Sequence, residues 1–173
     1  MKELDSTYQL KKWNPETEQL EECMIRGKGA HDITKKLLPM LKGKKLVMHN
    51  ASFDCRYTKN YYGIDLLEDL WVDTALLVHT VQEEGAGMGV FGLKPLAISI
   101  QQHIGLDVEK AANQEQIELK ESIKANGGSV TKDNFEIYKA DMEILAKYAA
   151  ADTDLTLRLC NYFLQILKQE ILS

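Results

Sequence analysis

Two short stretches hold chemistry-bearing side chains at spacings that matter. Tyr148 and Asp152 are four residues apart, with Ala149, Ala150 and Ala151 between them. On a helix that spacing puts phenol and carboxylate on one face, and the three small residues let such a helix approach a sheet closely. A carboxylate drawn into a cleft is costly unless it is paired or bound to a cation, so this face suits a cation. The plainer alternative is a solvated helix aspartate beside a core tyrosine, and both readings stay open. The second stretch is His49-Asn50-Ala51-Ser52-Phe53-Asp54. It follows an apolar run and opens a helix, where an acid such as Asp54 is favoured by the helix dipole. Asn50 can hold the turn through side-chain hydrogen bonds, and Phe53 can be plain core.

The elements that must position these residues follow from local signals. Residues 7–13 (TYQLKKW) mix β-branched and aromatic residues in rough alternation and read as a strand, stopped by Asn14-Pro15. Residues 16–24 read as a polar turn or short helix, and Gly27, Gly29 and Ala30 as a loop. Asp32 is the expected N-cap of a short helix over 35–41, closed by Gly43. Leu46-Val47-Met48 suits a buried strand, and the HNASFD turn leads into a helix over 53–61 stopped by Gly63. Trp71-Val72 is another short strand, after which Asp73 or Thr74 caps a helix through Leu76, Leu77 and Val81. The glycines at 85, 87, 89 and 92 predict a mobile loop over 84–92. An apolar helix over 93–104 accepts Pro95 in its first turn and ends at Gly105. A charged helix over 111–125 stops at Asn126-Gly127-Gly128, and 135–171 is almost all helix former, broken near Asp141. Few strands and many helices make the class α/β, a small mixed sheet flanked by helices.

Composition bounds the function. A chain of 173 residues, 45% hydrophobic and 27% charged, fits one soluble domain with a real core. No apolar run approaches the roughly 18 residues that span a bilayer, so no membrane partner is expected. The lone Lys2 has no apolar stretch behind it, unlike a secretory signal. A net charge of −5 speaks against coating nucleic acid by bulk charge, while leaving room for an enzyme that meets nucleic acid in one local cleft. Cys23, Cys55 and Cys160 have no metal-ligand spacing and read as reduced thiols of a cytoplasmic protein.

Taken together, the motifs are more informative than any one of them. LVMHNASFD resembles the second motif of the DEDD-type 3′–5′ exonucleases, and YAAADTDLTLRL resembles their third, in which a tyrosine precedes an aspartate by four positions. WVDTALL is similar to the segment that follows the second motif in the proofreading domains of family A DNA polymerases. GLKPLA fits the next helix, and HDIT the approach to the second motif, all in colinear order. The resemblance implies a ribonuclease-H-like fold and a two-metal hydrolase, in which Mg²⁺ or Mn²⁺ ions clamp the scissile phosphodiester. It implies Asp54 and Asp152 as metal ligands, with Asp54 often acting through metal-bound water. Tyr148 would orient the attacking water. Asn50 and Phe53 would lie against the terminal nucleotides, Phe53 by sequence-tolerant stacking. Lys94 would either reach a phosphate or remain a solvated lysine.

The family's first motif, an Asp and a Glu separated by one residue on a central strand, has no counterpart here. Glu3-Leu4-Asp5 holds the acids in reversed order. In the family layout TYQLKKWNPE matches the third strand, so the first two strands are expected to be missing, and the polymerase domain that follows in polymerases of this type is not expected after Ser173. Two carboxylates in place of four predict a collapse of metal affinity and rate. An unpaired strand edge predicts borrowing, from a polymerase subunit or a second copy of the chain. Two functions are therefore carried: an exonuclease acting on single-stranded DNA or DNA 3′ ends, and an inactive exonuclease-fold module that binds nucleic acid or protein. An unrelated α/β domain would separate Asp54 from Asp152.

Overall fold

The computed structural model describes residues 5–14, 16–17, 19–81 and 91–172. The chain divides into two compact units, Met1–Leu46 with Ser52–Asp69, and Val47–Ala51 with Leu70–Ser173. Glu3-Leu4 and most of the expected glycine-rich loop lie outside the described residues.

The first unit opens with an antiparallel hairpin. Strand β1 (Asp5–Asn14) pairs with β2 (Gln19–Lys28) in a register running from Asp5 opposite Lys28 to Asn14 opposite Gln19. The turn or short helix expected over 16–24 is instead largely β2, and Gly27 belongs to the strand rather than a loop. The reason is the partner: a polar stretch becomes a strand when a neighbour supplies the ladder. Helix α1 (Gly29–Leu37) begins earlier than expected, so Asp32 lies in its first turn and pairs with Lys36 at 3.0 Å rather than capping it. It gives way to a 3-10 turn over Leu38–Leu41. Pro39 lacks the N–H an α-helix would need there and disfavours α conformation in the residue before it. Gly43 follows with φ +73°, where a side chain would be strained. Helix α2 (Ala51–Tyr62) ends at Gly63, which has φ +71°.

The second unit is mostly helical. Strands β3 (Leu46–Met48) and β4 (Leu70–Asp73) form a two-stranded sheet, separate from the hairpin. Among the described residues there are thus two small sheets where one mixed sheet was expected. Helices α3 (Thr74–Val81), α4 (Leu93–Ser99), α5 (Gln101–Ile104), α6 (Val108–Ala125) and α7 (Met142–Leu172) follow. The single helix expected over 93–104 is broken at Ile100. The Ser99 hydroxyl donates to the Leu96 carbonyl at 2.7 Å, closing the last turn of α4. Helix α7 packs chiefly on α3 and α4, with α6 beside it, and Ala149 and Ala150 are exposed rather than seated on a sheet. The core joins Val78 of α3, Leu96 and Ile100 around α4, and Leu159 and Phe163 of α7. Cys55 and Cys160 are buried and form no disulfide. No helix among the described residues is long and apolar enough to cross a membrane.

Asp73 ties the turn after β3 to the start of α3. Its carboxylate accepts the backbone N–H groups of Asn50 at 3.0 Å, Ala51 at 2.8 Å and Ala75 at 2.9 Å. Asn50 has φ +58°, so the turn is held in a left-handed conformation that needs outside support. Removing the carboxylate orphans three donors. Asp73→Ala is expected to cost about 2–3 kcal/mol in urea unfolding, and Asp73→Asn, which keeps one acceptor oxygen, less.

Four carboxylates set the acid limit. Hydrogen bonds from Lys59 to Asp65, Lys42 to Asp69, Tyr138 to Glu136 and Ser122 to Asp141 hold each carboxyl below its ordinary range. A carboxyl lowered by folding contributes stability above its unfolded pKa, and that stability is lost as pH falls through the folded value. The urea midpoint is therefore expected to drop below about pH 4. The drop should be smaller in Asp141→Asn, which a pH series of denaturation curves measures.

Candidate functional site

Helix α7 carries Tyr148 and Asp152 one turn apart, and both meet the ammonium of Lys94. Lys94 Nζ lies 4.0 Å from the centre of the Tyr148 ring and 3.5 Å from Asp152 Oδ1. Phenol and carboxylate therefore share a face, as the spacing requires. Lys94 projects from the first turn of α4, whose Pro95 is tolerated because first-turn N–H groups have no helical partner. The Lys94 ammonium also donates to Glu115 Oε2 of α6 at 2.7 Å. Three helices thus meet at one cation. The solvated lysine of the plainer expectation is not observed: the Lys94 side chain is only 16% exposed.

Electrostatics follow from that burial. Loss of hydration raises the Asp152 carboxyl above its ordinary range; Lys94 and His49 oppose the rise and Glu115 adds to it. Burial wins because Lys94 is shared with Glu115, its closer partner. Asp152 Oδ1 is itself buried and accepts no hydrogen bond in good geometry. Burial also works against the charge of Lys94, but Glu115, Asp152 and Tyr148 outweigh it and raise its pKa. His49, at the end of β3, is fixed by Thr74, whose hydroxyl lies 2.8 Å from His49 Nδ1 and donates to the Met48 carbonyl at 3.2 Å. With the hydroxyl proton so used, the ring proton is assigned to Nδ1.

The remaining residues singled out by sequence are placed less centrally. Asn50 acts through its backbone N–H on Asp73. Phe53 is 71% exposed on α2, so it is not core. Asp54 lies in the first turn of α2 in the first unit, where the helix dipole favours its charge. Partial desolvation nonetheless raises its carboxyl. Sequence reading missed Glu115 and Asp73 as site-building residues. For Asp73 a capping signal was visible. For Glu115, one of several acids on a charged helix, no local signal distinguishes it.

The chain matches the family model of the 3′–5′ exonuclease domain of A-type DNA polymerases over residues 2–168. It belongs to that 3′–5′ exonuclease family. No curated protein and no solved structure matches it.

Enzymes of this exonuclease family generally use divalent metal ions, and the donor set meets that requirement only in part. Asp152 Oδ1 is a buried acceptor without a hydrogen-bond donor, as a ligand oxygen would be. Yet no group of three or more His, Cys, Asp or Glu side chains converges as cation ligands among the described residues. The neighbour Asp152 does have is an ammonium. The described residues therefore do not by themselves fit a divalent centre. Beside this face a cavity of about 130 Å³ opens between α6 and α7, with Glu115 and Ala151 on its wall.

Proposed function

We propose that the chain is a single proofreading-type exonuclease domain of ribonuclease-H-like fold that hydrolyses phosphodiester bonds at DNA 3′ ends. The observation that carries this reading is the α7 face, where Tyr148 and Asp152 gather beside a partly buried cation within a chain of the exonuclease family. In this reading Asp152 and Asp54 are the carboxylates that would hold Mg²⁺ or Mn²⁺, with further ligands needed from beyond the described residues, from a second copy of the chain or from a polymerase subunit. The Tyr148 phenol orients water. Lys94 offers positive charge to a phosphate, Asn50 shapes the turn beneath the terminal nucleotide, and exposed Phe53 offers a ring for a base to stack on.

Release of mononucleotides from a 3′-labelled single-stranded DNA, with Mg²⁺ or Mn²⁺ against EDTA, tests the proposal. Metal-dependent release from the 3′ end supports it. An inert chain that stays inert when an Asp-x-Glu strand is supplied overturns it.

The lack of a converged cation site among the described residues favours a second reading. Here the domain binds nucleic acid or protein without turnover. Titration of fluorescent single-stranded DNA separates the two, because saturable binding without release supports the second reading alone.

A further inference from the structure

We infer that Tyr57 and Tyr61 extend the Phe53 ring into a stacking track along α2, which holds the bases of a single DNA strand upstream of its 3′ end. The inference rests on the reading of Phe53 as a stacking ring, and it goes further by assigning the next two turns of the helix and the cation beside them.

Helix α2 has two unlike faces. Cys55 and Thr58 turn inward and are buried, while Phe53, Tyr57 and Tyr61, each one turn from the next, are exposed. A single exposed aromatic needs no explanation. Three in a row on one helix leave apolar area bare unless something covers it. Each four-residue step advances about 6 Å along the helix axis, so the rings stand in series along the helix.

The tyrosine rings are ordered before anything binds. Tyr57 and Tyr61 are stacked, with centres 5.2 Å apart and planes 13° from parallel. Tyr62 meets them at 6.2 Å and 5.8 Å, and the His31 ring of α1 stacks on Tyr62 at 5.0 Å. Rings already held by one another lose little freedom when a base joins them, which lowers the cost of binding.

Charge selects the occupant. Arg56, beside the stripe, is exposed and pairs with no carboxylate among the described residues, so its guanidinium is available to a phosphate. Lys59 is held by Asp65 at 2.6 Å. Helix α2 is positive on balance, Arg56 and Lys59 against Asp54, in a chain of net charge −5. Rings that accept any base, beside a cation that meets the backbone, are the two parts of a sequence-tolerant single-strand site. A second copy of the chain would instead bring two net charges of −5 together, which opposes association.

The test is an anisotropy titration of the full chain with a fluorescent oligothymidylate in EDTA, where neither metal binding nor turnover enters. Tyr57→Ala and Tyr61→Ala should each weaken binding at least about fivefold, the low end for losing one base–ring stack. Tyr57→Phe and Tyr61→Phe keep the ring and should stay within about twofold of the parent. Arg56→Gln should lower the slope of log affinity against log salt by about 0.7, the value for one phosphate contact to a single strand. An abasic strand of the same length tests the inference in the parent, without any substitution. It should bind at least about fivefold more weakly than oligothymidylate, and Tyr57→Ala should weaken it no further. If Phe53→Ala weakens binding but Tyr57→Ala and Tyr61→Ala do not, the inference falls and the reading of Phe53 stands. If the parent binds the abasic strand as well as oligothymidylate, both fall. If Tyr57→Ala and Tyr61→Ala leave DNA binding unchanged and dissolve a dimer in sedimentation equilibrium, the face is an interface between copies and the inference falls.

Discussion

Asp152→Asn is expected to lower metal-dependent release of nucleotides from DNA 3′ ends by at least about 100-fold, the scale of losing one central electrostatic group. The substitution preserves size and shape and removes one charge. Stability will not explain the loss. Burial raises the Asp152 carboxyl in the folded chain, so its ionised form is less favoured there than in the unfolded chain. Neutralising it relieves that cost, and Lys94 keeps its shorter contact to Glu115 at 2.7 Å. The urea midpoint of Asp152→Asn should equal or exceed that of the parent, as when a functional residue trades stability for activity. Asp154→Asn is the internal control. Asp154 is exposed and pairs with Arg158 one turn on at 2.7 Å, a surface contact worth about 0–1 kcal/mol. It should change the rate less than about threefold. Equal losses in the two variants would sink the assignment of Asp152.

Phe163→Ala is expected to destabilise the helical unit by about 3–5 kcal/mol. Phe163 is 1% exposed and packs in one cluster with Val78, Leu96, Ile100 and Leu159, its ring edge-on to Tyr162 at 5.1 Å. Removing the ring takes away the contacts that join α3, α4 and α7, and the cavity left behind cannot collapse without moving three helices. Against a typical total of about 5–15 kcal/mol, that is a large fraction of the whole. Leu157→Ala on the same helix is the comparison. Leu157 is 52% exposed, and its truncation should cost less than about 1 kcal/mol. Urea denaturation followed by circular dichroism distinguishes the two. Similar midpoints would show that α7 is not where the unit's stability is concentrated.

Legibility from sequence divided along a physical line. Elements with local signals were readable: Leu46-Val47-Met48 as a short strand, although it is only half-buried rather than buried, Gly63 and Gly105 as helix stops at positive φ, and Asn126-Gly127-Gly128 as a break. Elements defined by a distant partner were not. Strand β2 is polar and charged, and only its pairing with β1 makes it a strand. The register pairs the two strands over their whole length, from Asp5 opposite Lys28 to Asn14 opposite Gln19, and neither stretch announces the other on its own. The site shows the same division. Spacing alone put Tyr148 and Asp152 on one face. The pairing of Lys94 with Glu115 crosses from α4 to α6, and no window of sequence short enough to carry a periodicity contains both. The break at Ile100 is local, a backbone turn at φ −114° inside an apolar run, and an apolar pattern carries no sign of it.

Helix α7 runs from Met142 to Leu172, and it holds the Tyr148–Asp152 face on its early turns and the Leu159–Phe163 core contacts on later ones. Because one continuous hydrogen-bonded rod joins them, the face borrows rigidity from the core. Fraying from the first turn is opposed at Asp152 by packing that begins at Leu155, one turn further along. The aspartate is therefore held by a framework whose opening is coupled to cooperative melting of the bundle, and it has little freedom to adapt by loosening on its own.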